Sequence, residues 1–226
     1  MRILVVSATS VEIDPLVAGL RHISAGSARV NTYTRASHEL DVLVTGVGMV
    51  ATATWCSAVL ARQRYDLALN LGVCGSFDRT LEPGTVVHVV SDCIAELGAE
   101  DDERFVTIQE LDLVGLDEFP FRGGRLVNDA PPANPTLSRL PAVTGITVNT
   151  IHGNDRSIAF AARQFNPQVE SMEGAAFMYA CRIHETPFAQ VRAVSNAVEK
   201  RNREAWRMAA AIRNLGATSL SILDCA

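Results

Sequence analysis

Several short strand-like stretches of this chain stop on residues that can hydrogen-bond, and a helical pattern follows most of them. Ile3–Val6 runs into Ser7, Leu67–Leu71 into Gly72, Val169–Ser171 into Met172-Glu173, and Val191–Val194 into Ser195-Asn196. Continuous apolar runs of this length, rather than alternating ones, predict strands buried on both faces. Strands that alternate with helices build an α/β sheet, and such sheets bind ligands beyond the carboxyl ends of their strands. Glu173 and Asn196 are therefore expected to project into one crevice.

Taken in order, the strand over 2–7 is followed by Thr9 or Ser10 as a helix cap, which puts Glu12 in the first turn of the helix. An acid there interacts favourably with the helix dipole whatever else it does. Its place just after a strand end also puts it on the rim of the crevice. Residues 28 to 36 alternate as a strand, and Ser37-His38-Glu39 turns them back into Leu40–Thr45, a hairpin that makes the sheet mixed. Gly46-Val47-Gly48-Met49-Val50-Ala51 opens a helix running to about Gln63 and superficially matches the dinucleotide fingerprint. Asp66 precedes the next apolar run instead of ending it, so it would not meet a ribose. Gly46 and Gly48 read better as a tight turn that brings backbone close to a ligand.

Gly72-Val73-Cys74-Gly75-Ser76-Phe77 reads as a loop whose N–H groups face a ligand, and 84–90 as a further strand. From about Asp92 to Pro141 periodicity fades, as in a long surface insertion expected to cover the site or to meet a second subunit. A strand over 142–148 then ends at Asn149-Thr150-Ile151-His152-Gly153. A helix over 155–164 is stopped by Asn166-Pro167, an apolar helix spans 173 to about 183, and a last strand spans 187–195. Asn202 is expected to cap the final helix, with Ala205, Trp206, Met208, Ala209, Ile212, Leu215, Leu220 and Leu223 largely in the core.

With 226 residues, 48% of them apolar, and no Gly/Ser- or Pro-rich linker, one domain over 1–226 is expected. Net charge is −5 and the twenty Lys and Arg are scattered, which argues against nucleic acid and for a small-molecule partner. No apolar run approaches the roughly 18 residues of a membrane span, and the N-terminal run is too short for a signal peptide, so a cytoplasmic protein without membrane contact is expected. The five cysteines are widely spaced and the histidines lack ligand spacing, which predicts buried free thiols and neither metal nor cofactor.

Two acids on separate rims, an amide on a third and glycines between them suit a polar ligand with hydroxyls and a heterocycle. Glu173 could accept from a vicinal diol while Glu12 takes a proton from an attacking water.

The order Val6-Ser7-Ala8…Glu12, Asn70-Leu71-Gly72-Val73-Cys74-Gly75, Val169…Met172-Glu173-Gly174-Ala175 and Val191-Arg192-Ala193-Val194-Ser195-Asn196 resembles the nucleoside phosphorylase and nucleosidase superfamily across essentially the whole chain. Within it, Met172–Ala176, Arg192–Asn196 and Val198-Glu199-Lys200-Arg201-Asn202…Trp206 resemble the futalosine hydrolases, nucleosidases of menaquinone biosynthesis. The resemblance implies a single-domain three-layer α/β/α fold with a mixed central sheet, a nucleoside substrate and a homodimer or larger assembly.

It also implies Glu12 and Asn196 as catalytic residues. Met172 and Glu173 would bind the ribose, and Val73, Cys74, Gly75, Ser195, Gly48, Thr150 and Ile151 complete the substrate-binding candidates. Related methylthioadenosine nucleosidases carry an aspartate where Asn196 stands. An amide can donate to a 6-oxo group and accept from a protonated N7, which favours hypoxanthine as the leaving base. Glu12 would repel phosphate, which favours hydrolysis over phosphorolysis. A 6-oxopurine nucleoside phosphorylase, a methylthioadenosine/S-adenosylhomocysteine nucleosidase and a non-catalytic nucleoside-binding protein remain the alternatives. Arg104, Arg122, Arg125 and the amides near Gly48 are candidates for a carboxylate on the 5′ side of the substrate.

Overall fold

The computed structural model describes residues 1–25 and 29–226. In chain order the elements are β1 (Arg2–Ser7), α1 (Ser10–Val17), β2 (Arg21–Ala25), β3 (Val30–Arg35), β4 (His38–Val44), α2 (Met49–Leu60) and β5 (Leu67–Ser76). They continue with β6 (Val86–Asp92), β7 (Gly98–Asp101), β8 (Arg104–Thr107), β9 (Leu126–Val127), β10 (Ala142–Thr147), α3 (Asp155–Phe165), β11 (Val169–Ser171), α4 (Gly174–Ile183), β12 (Phe188–Ala197) and α5 (Met208–Asp224).

Ten strands form one mixed sheet in the order β11-β10-β6-β12-β5-β1-β4-β3-β2, with β9 added on β6. β11 pairs parallel with β10 and antiparallel with the end of β5, so β5, β12, β6, β10 and β11 close into a ring. Closure leaves those strands no free edge. The expected hairpin is β3–β4, in register from Val30↔Leu43 to Arg35↔His38. The strand expected from Ala28 begins at Val30; Ala28 itself lies outside the described residues.

Alternate residues of the buried strands face opposite layers, as the pleat requires. Ile3, Val5, Leu69 and Leu71 join Ile13 and Leu16 of α1 and Leu215, Ile222 and Leu223 of α5 in one cluster. Leu4, Val6 and Ala68 join Cys56 of α2 and Phe177, Met178 and Cys181 of α4 in the other. Helices thus cover both faces of the sheet, giving three α/β/α layers. Each fully buried large side chain contributes roughly 1.5–3 kcal/mol. α4 shows why position matters more than helix chemistry: seven of its residues, Gly174–Met178, Ala180 and Cys181, are buried, as befits a helix wedged between layers.

Four sequence expectations are corrected. Residues 72–76 are not a loop but the second half of β5, because Gly72 and Gly75 make room for neighbouring side chains while keeping strand pairing with β12. Arg21–Ala25, unforeseen, adds an edge strand whose residues lack apolar alternation. Asn202 precedes a short 3-10 turn, Arg203–Ala205, and α5 starts only at Met208. Ala209 is exposed, and four cysteines are buried while Cys225 is not. The 92–141 segment does build a surface layer, including the β7–β8 hairpin.

Candidate active site

A cavity of about 380 Å³ opens at the carboxyl ends of β1, β5, β11 and β12. The turns that follow those ends deliver its polar side chains, as the sequence pattern predicts. Glu12 enters from the first turn of α1. Its Oε2 accepts from Thr9 N (3.0 Å), Thr9 Oγ1 (2.9 Å) and Ser7 Oγ (3.3 Å), and Oε1 accepts from Val73 N at 3.1 Å. Glu12 is thus both the first-turn acid that ties down the helix start and a wall of the cavity, with a lone pair of Oε1 still free.

Met172 and Glu173 follow β11. Glu173, 5% exposed, caps α4; its Oε1 accepts from Gly48 N at 3.1 Å and its Oε2 lies 3.5 Å from Arg192 Nη1. Burial pushes the Glu173 carboxyl above its ordinary value, against the pull of Arg192 and the Gly48 N–H. Gly48 presents that N–H from a backbone with φ +98°, a conformation open to glycine. Gly48 therefore acts on the site by holding Glu173, while its neighbour Val47 lines the cavity.

Arg192 is the residue whose part in the site was missed. It is 1% exposed in the middle of β12, donates from Nη2 to Asn70 Oδ1, and faces Gly72 across the β5–β12 register. A Cβ on Gly72 would stand 2.2 Å from Arg192 Nη1 and 3.0 Å from Glu12 Oε1. The available signal was an arginine inside an apolar strand opposite a glycine.

The β5–β12 register slips between Val194 and Asn196, which leaves Ser195 in a bulge and aims Asn196 into the cavity. Ser195 Oγ lies 2.7 Å from Asn196 Oδ1 and 3.1 Å from the Cys74 carbonyl, and Asn196 Nδ2 donates to the Ala197 carbonyl at 2.9 Å. These partners orient the amide and leave it one further N–H and one further lone pair. Cys74 and Gly75 form part of the floor. Burial pushes the Cys74 thiol up to about 12, so it is no nucleophile near neutral pH.

Of the sequence candidates, Glu12, Val73, Cys74, Gly75, Ile151, Met172, Glu173, Ser195 and Asn196 line this cavity. Thr150 does not: it is exposed, and its N–H donates to Glu96 Oε1 at 3.3 Å outside the site. Arg104 and Arg122 pair with Glu110 and Asp129 on the surface, at 2.8 and 2.6 Å. Arg125 borders a separate cavity of about 440 Å³, beside the insertion. No residue of 92–141 lines the candidate site. His152, Glu170, Glu199 and Arg201 line it instead, with Trp206 and Met208, expected in the core, as its apolar wall. Arg201 lies over the Trp206 ring, 5.9 Å from its centroid. Among the described residues no group of three or more His, Cys, Asp or Glu side chains could hold a metal ion.

Fold and cavity together define an α/β protein with a partly polar cavity of small-molecule size beyond its strand ends. The chain belongs to the phosphorylase superfamily, whose family model matches residues 2–224. It is 30% identical to the futalosine hydrolase of Acidothermus cellulolyticus over 94% of this chain and 86% of that relative. It is also 27% identical to the 5′-methylthioadenosine/S-adenosylhomocysteine nucleosidase of Lysinibacillus sphaericus, over 88% of each. Among solved structures, the futalosine hydrolase of Helicobacter pylori strain 26695 superposes with a TM-score of 0.81, over 99% of this chain and 97% of that one; at 16% identity this shows the shared fold.

Proposed function

We propose that the protein hydrolyses the N-glycosidic bond of futalosine, releasing hypoxanthine and dehypoxanthine futalosine, a step of menaquinone biosynthesis. The observation that carries this reading is that Glu12, Glu173 and Asn196, from three separate strand ends, share one cavity. Glycosidic cleavage passes through an oxocarbenium-like sugar, so the site must hold the ribose, stabilise the departing base and aim a water. Glu173 accepts from the ribose hydroxyls over Met172. Asn196 meets the 6-oxopurine with its free N–H and lone pair. Glu12 takes the proton of the attacking water through Oε1, a role worth ~10²–10⁴-fold.

Hydrolysis is favoured over phosphorolysis by the charge of the walls. Glu12, Glu170, Glu173 and Glu199 line the cavity against one arginine, Arg201, a poor setting for phosphate. The chemistry requires no metal or cofactor.

The protein works as a homodimer or larger assembly in the cytoplasm. Supporting this, Val11 and Val47 at the mouth and Val50 nearby on α2 are exposed, Val50 by 79%, and the insertion exposes Leu113 and Phe119. A second copy that covered Val11, Val47 and Val50 would close the mouth of the cavity. Among the described residues no helix is long and apolar enough to cross a membrane.

The test is base release from futalosine, inosine and methylthioadenosine in phosphate-free buffer, with light scattering for the assembly. Hypoxanthine from futalosine without phosphate supports the reading. Release only after phosphate is added makes the protein a phosphorylase, and adenine release makes it a methylthioadenosine nucleosidase. Recovery of uncleaved nucleoside makes it a binding protein.

A further inference from the structure

Gly75 is the register partner of two cavity residues at once, Glu170 on β11 and Asn196 on β12. A Cβ placed on Gly75 would meet Val198 Cγ2 at 2.9 Å, Glu170 Cγ at 3.4 Å and Asn196 Nδ2 at 3.5 Å. The glycine therefore lets Val198 pack between those two side chains, whose α-carbons stand two strand spacings, about 10 Å, apart. In the cavity they share, Asn196 stands on one flank and Glu170 with His152 on the other.

Glu170 is 4% exposed and is wholly engaged with one neighbour. Its Oε1 accepts from His152 N at 3.1 Å, and its Oε2 lies 2.6 Å from His152 Nδ1. A carboxylate only accepts, so this contact puts a proton on Nδ1, and in the neutral imidazole Nε2 then carries a lone pair. Both residues line the same cavity as Asn196. The pair thus offers the ligand acceptors only, while Asn196 offers a donor.

We propose that His152, held as an acceptor by Glu170, reads the N1–H of a 6-oxopurine while Asn196 donates to its O6. The inference rests on the function proposed above and gives the site its base specificity. A 6-oxopurine displays a donor at N1 beside an acceptor at position 6, and a 6-aminopurine reverses both. An amino base would set its N1 lone pair against that of Nε2, and a buried unpaired group of this kind discriminates strongly. Glu170 acts through His152 and is a positioning residue.

The experiment measures calorimetric affinities of the intact protein for hypoxanthine, 1-methylhypoxanthine and adenine, beside kcat and KM for futalosine. Wild type is expected to bind hypoxanthine roughly 10- to 100-fold more tightly than 1-methylhypoxanthine. Glu170→Gln frees Nδ1 to become the acceptor and Nε2 the donor, so the preference for hypoxanthine over adenine collapses, and Glu170→Asp restores part of it. Equal binding of hypoxanthine and 1-methylhypoxanthine by wild type overturns the inference, and this arm needs no variant to fold. If futalosine is still hydrolysed, the inference alone fails. If no 6-oxopurine nucleoside is cleaved and hypoxanthine does not bind, the function fails and takes the inference with it.

Discussion

Arg192 Nη1 lies 3.5 Å from Glu173 Oε2, and both side chains are buried. The Glu173 side chain, which lines the cavity, is thereby held in place by a buried positive charge. Breaking a buried pair from one side leaves an uncompensated charge. Arg192→Met is expected to cost about 3–5 kcal/mol in urea unfolding. Pairing it with Glu173→Gln should recover part of that loss, and a double-mutant cycle measures how much.

Gly72→Ala puts a methyl group where Arg192 Nη1 now stands, 2.2 Å from the added carbon. Arg192 is fully buried, so its guanidinium has to shift within the packed interior. The substitution is expected to cost about 1–3 kcal/mol by overpacking, and to weaken substrate binding by shifting the guanidinium away from Glu173. Thermal unfolding and KM for futalosine report the two effects separately.

Glu12→Gln keeps an oxygen able to accept from Thr9 or Val73 but removes the proposed base. Hypoxanthine release is expected to fall ~10²–10⁴-fold in kcat, with at most about 1 kcal/mol lost at the helix start. A loss of activity matched by global unfolding would mean that the residue only ties down α1.

Stability should depend on pH through Asp92, which lies in the interior beside Gln190 and Thr147. Burial lifts its carboxyl above the ordinary aspartate value, against the pull of Gln190, Arg125, Thr147 and Arg192. The folded chain then keeps a proton that the unfolded chain has released, so stability declines as pH rises from the ordinary aspartate value through the raised one. Glu173 contributes with the same sign. Asp92→Asn is expected to lose less stability than wild type as pH rises above the ordinary aspartate value, read by urea titration.

Much of the site was legible because strand ends announce themselves: the apolar run stops, and Glu12, Met172-Glu173 and Asn196 stand just beyond. What was not legible depends on neighbours far away in sequence. Gly72 and Gly75 look like loop residues locally, yet they belong to a strand, and their missing side chains make space for Arg192 on one side and for Glu170 and Asn196 on the other. Thr150 sits one residue before a cavity residue, but its main-chain N–H is tied to Glu96 of the insertion, a partner far away in sequence. Trp206 and Met208 carry a core-like pattern and instead wall the ligand cavity, because apolar spacing cannot distinguish a protein neighbour from a bound one.

The ring of strands formed by β11 closing on β5 sets the span between Glu170 and Asn196 by main-chain pairing on both sides of Gly75. Neither flank can slide without breaking the other, so the distance between the flanks is fixed while their chemistry is not. Exchanging one side chain on either flank alters the cavity without rebuilding the frame, so on this scaffold ligand preference is expected to be adjustable one residue at a time.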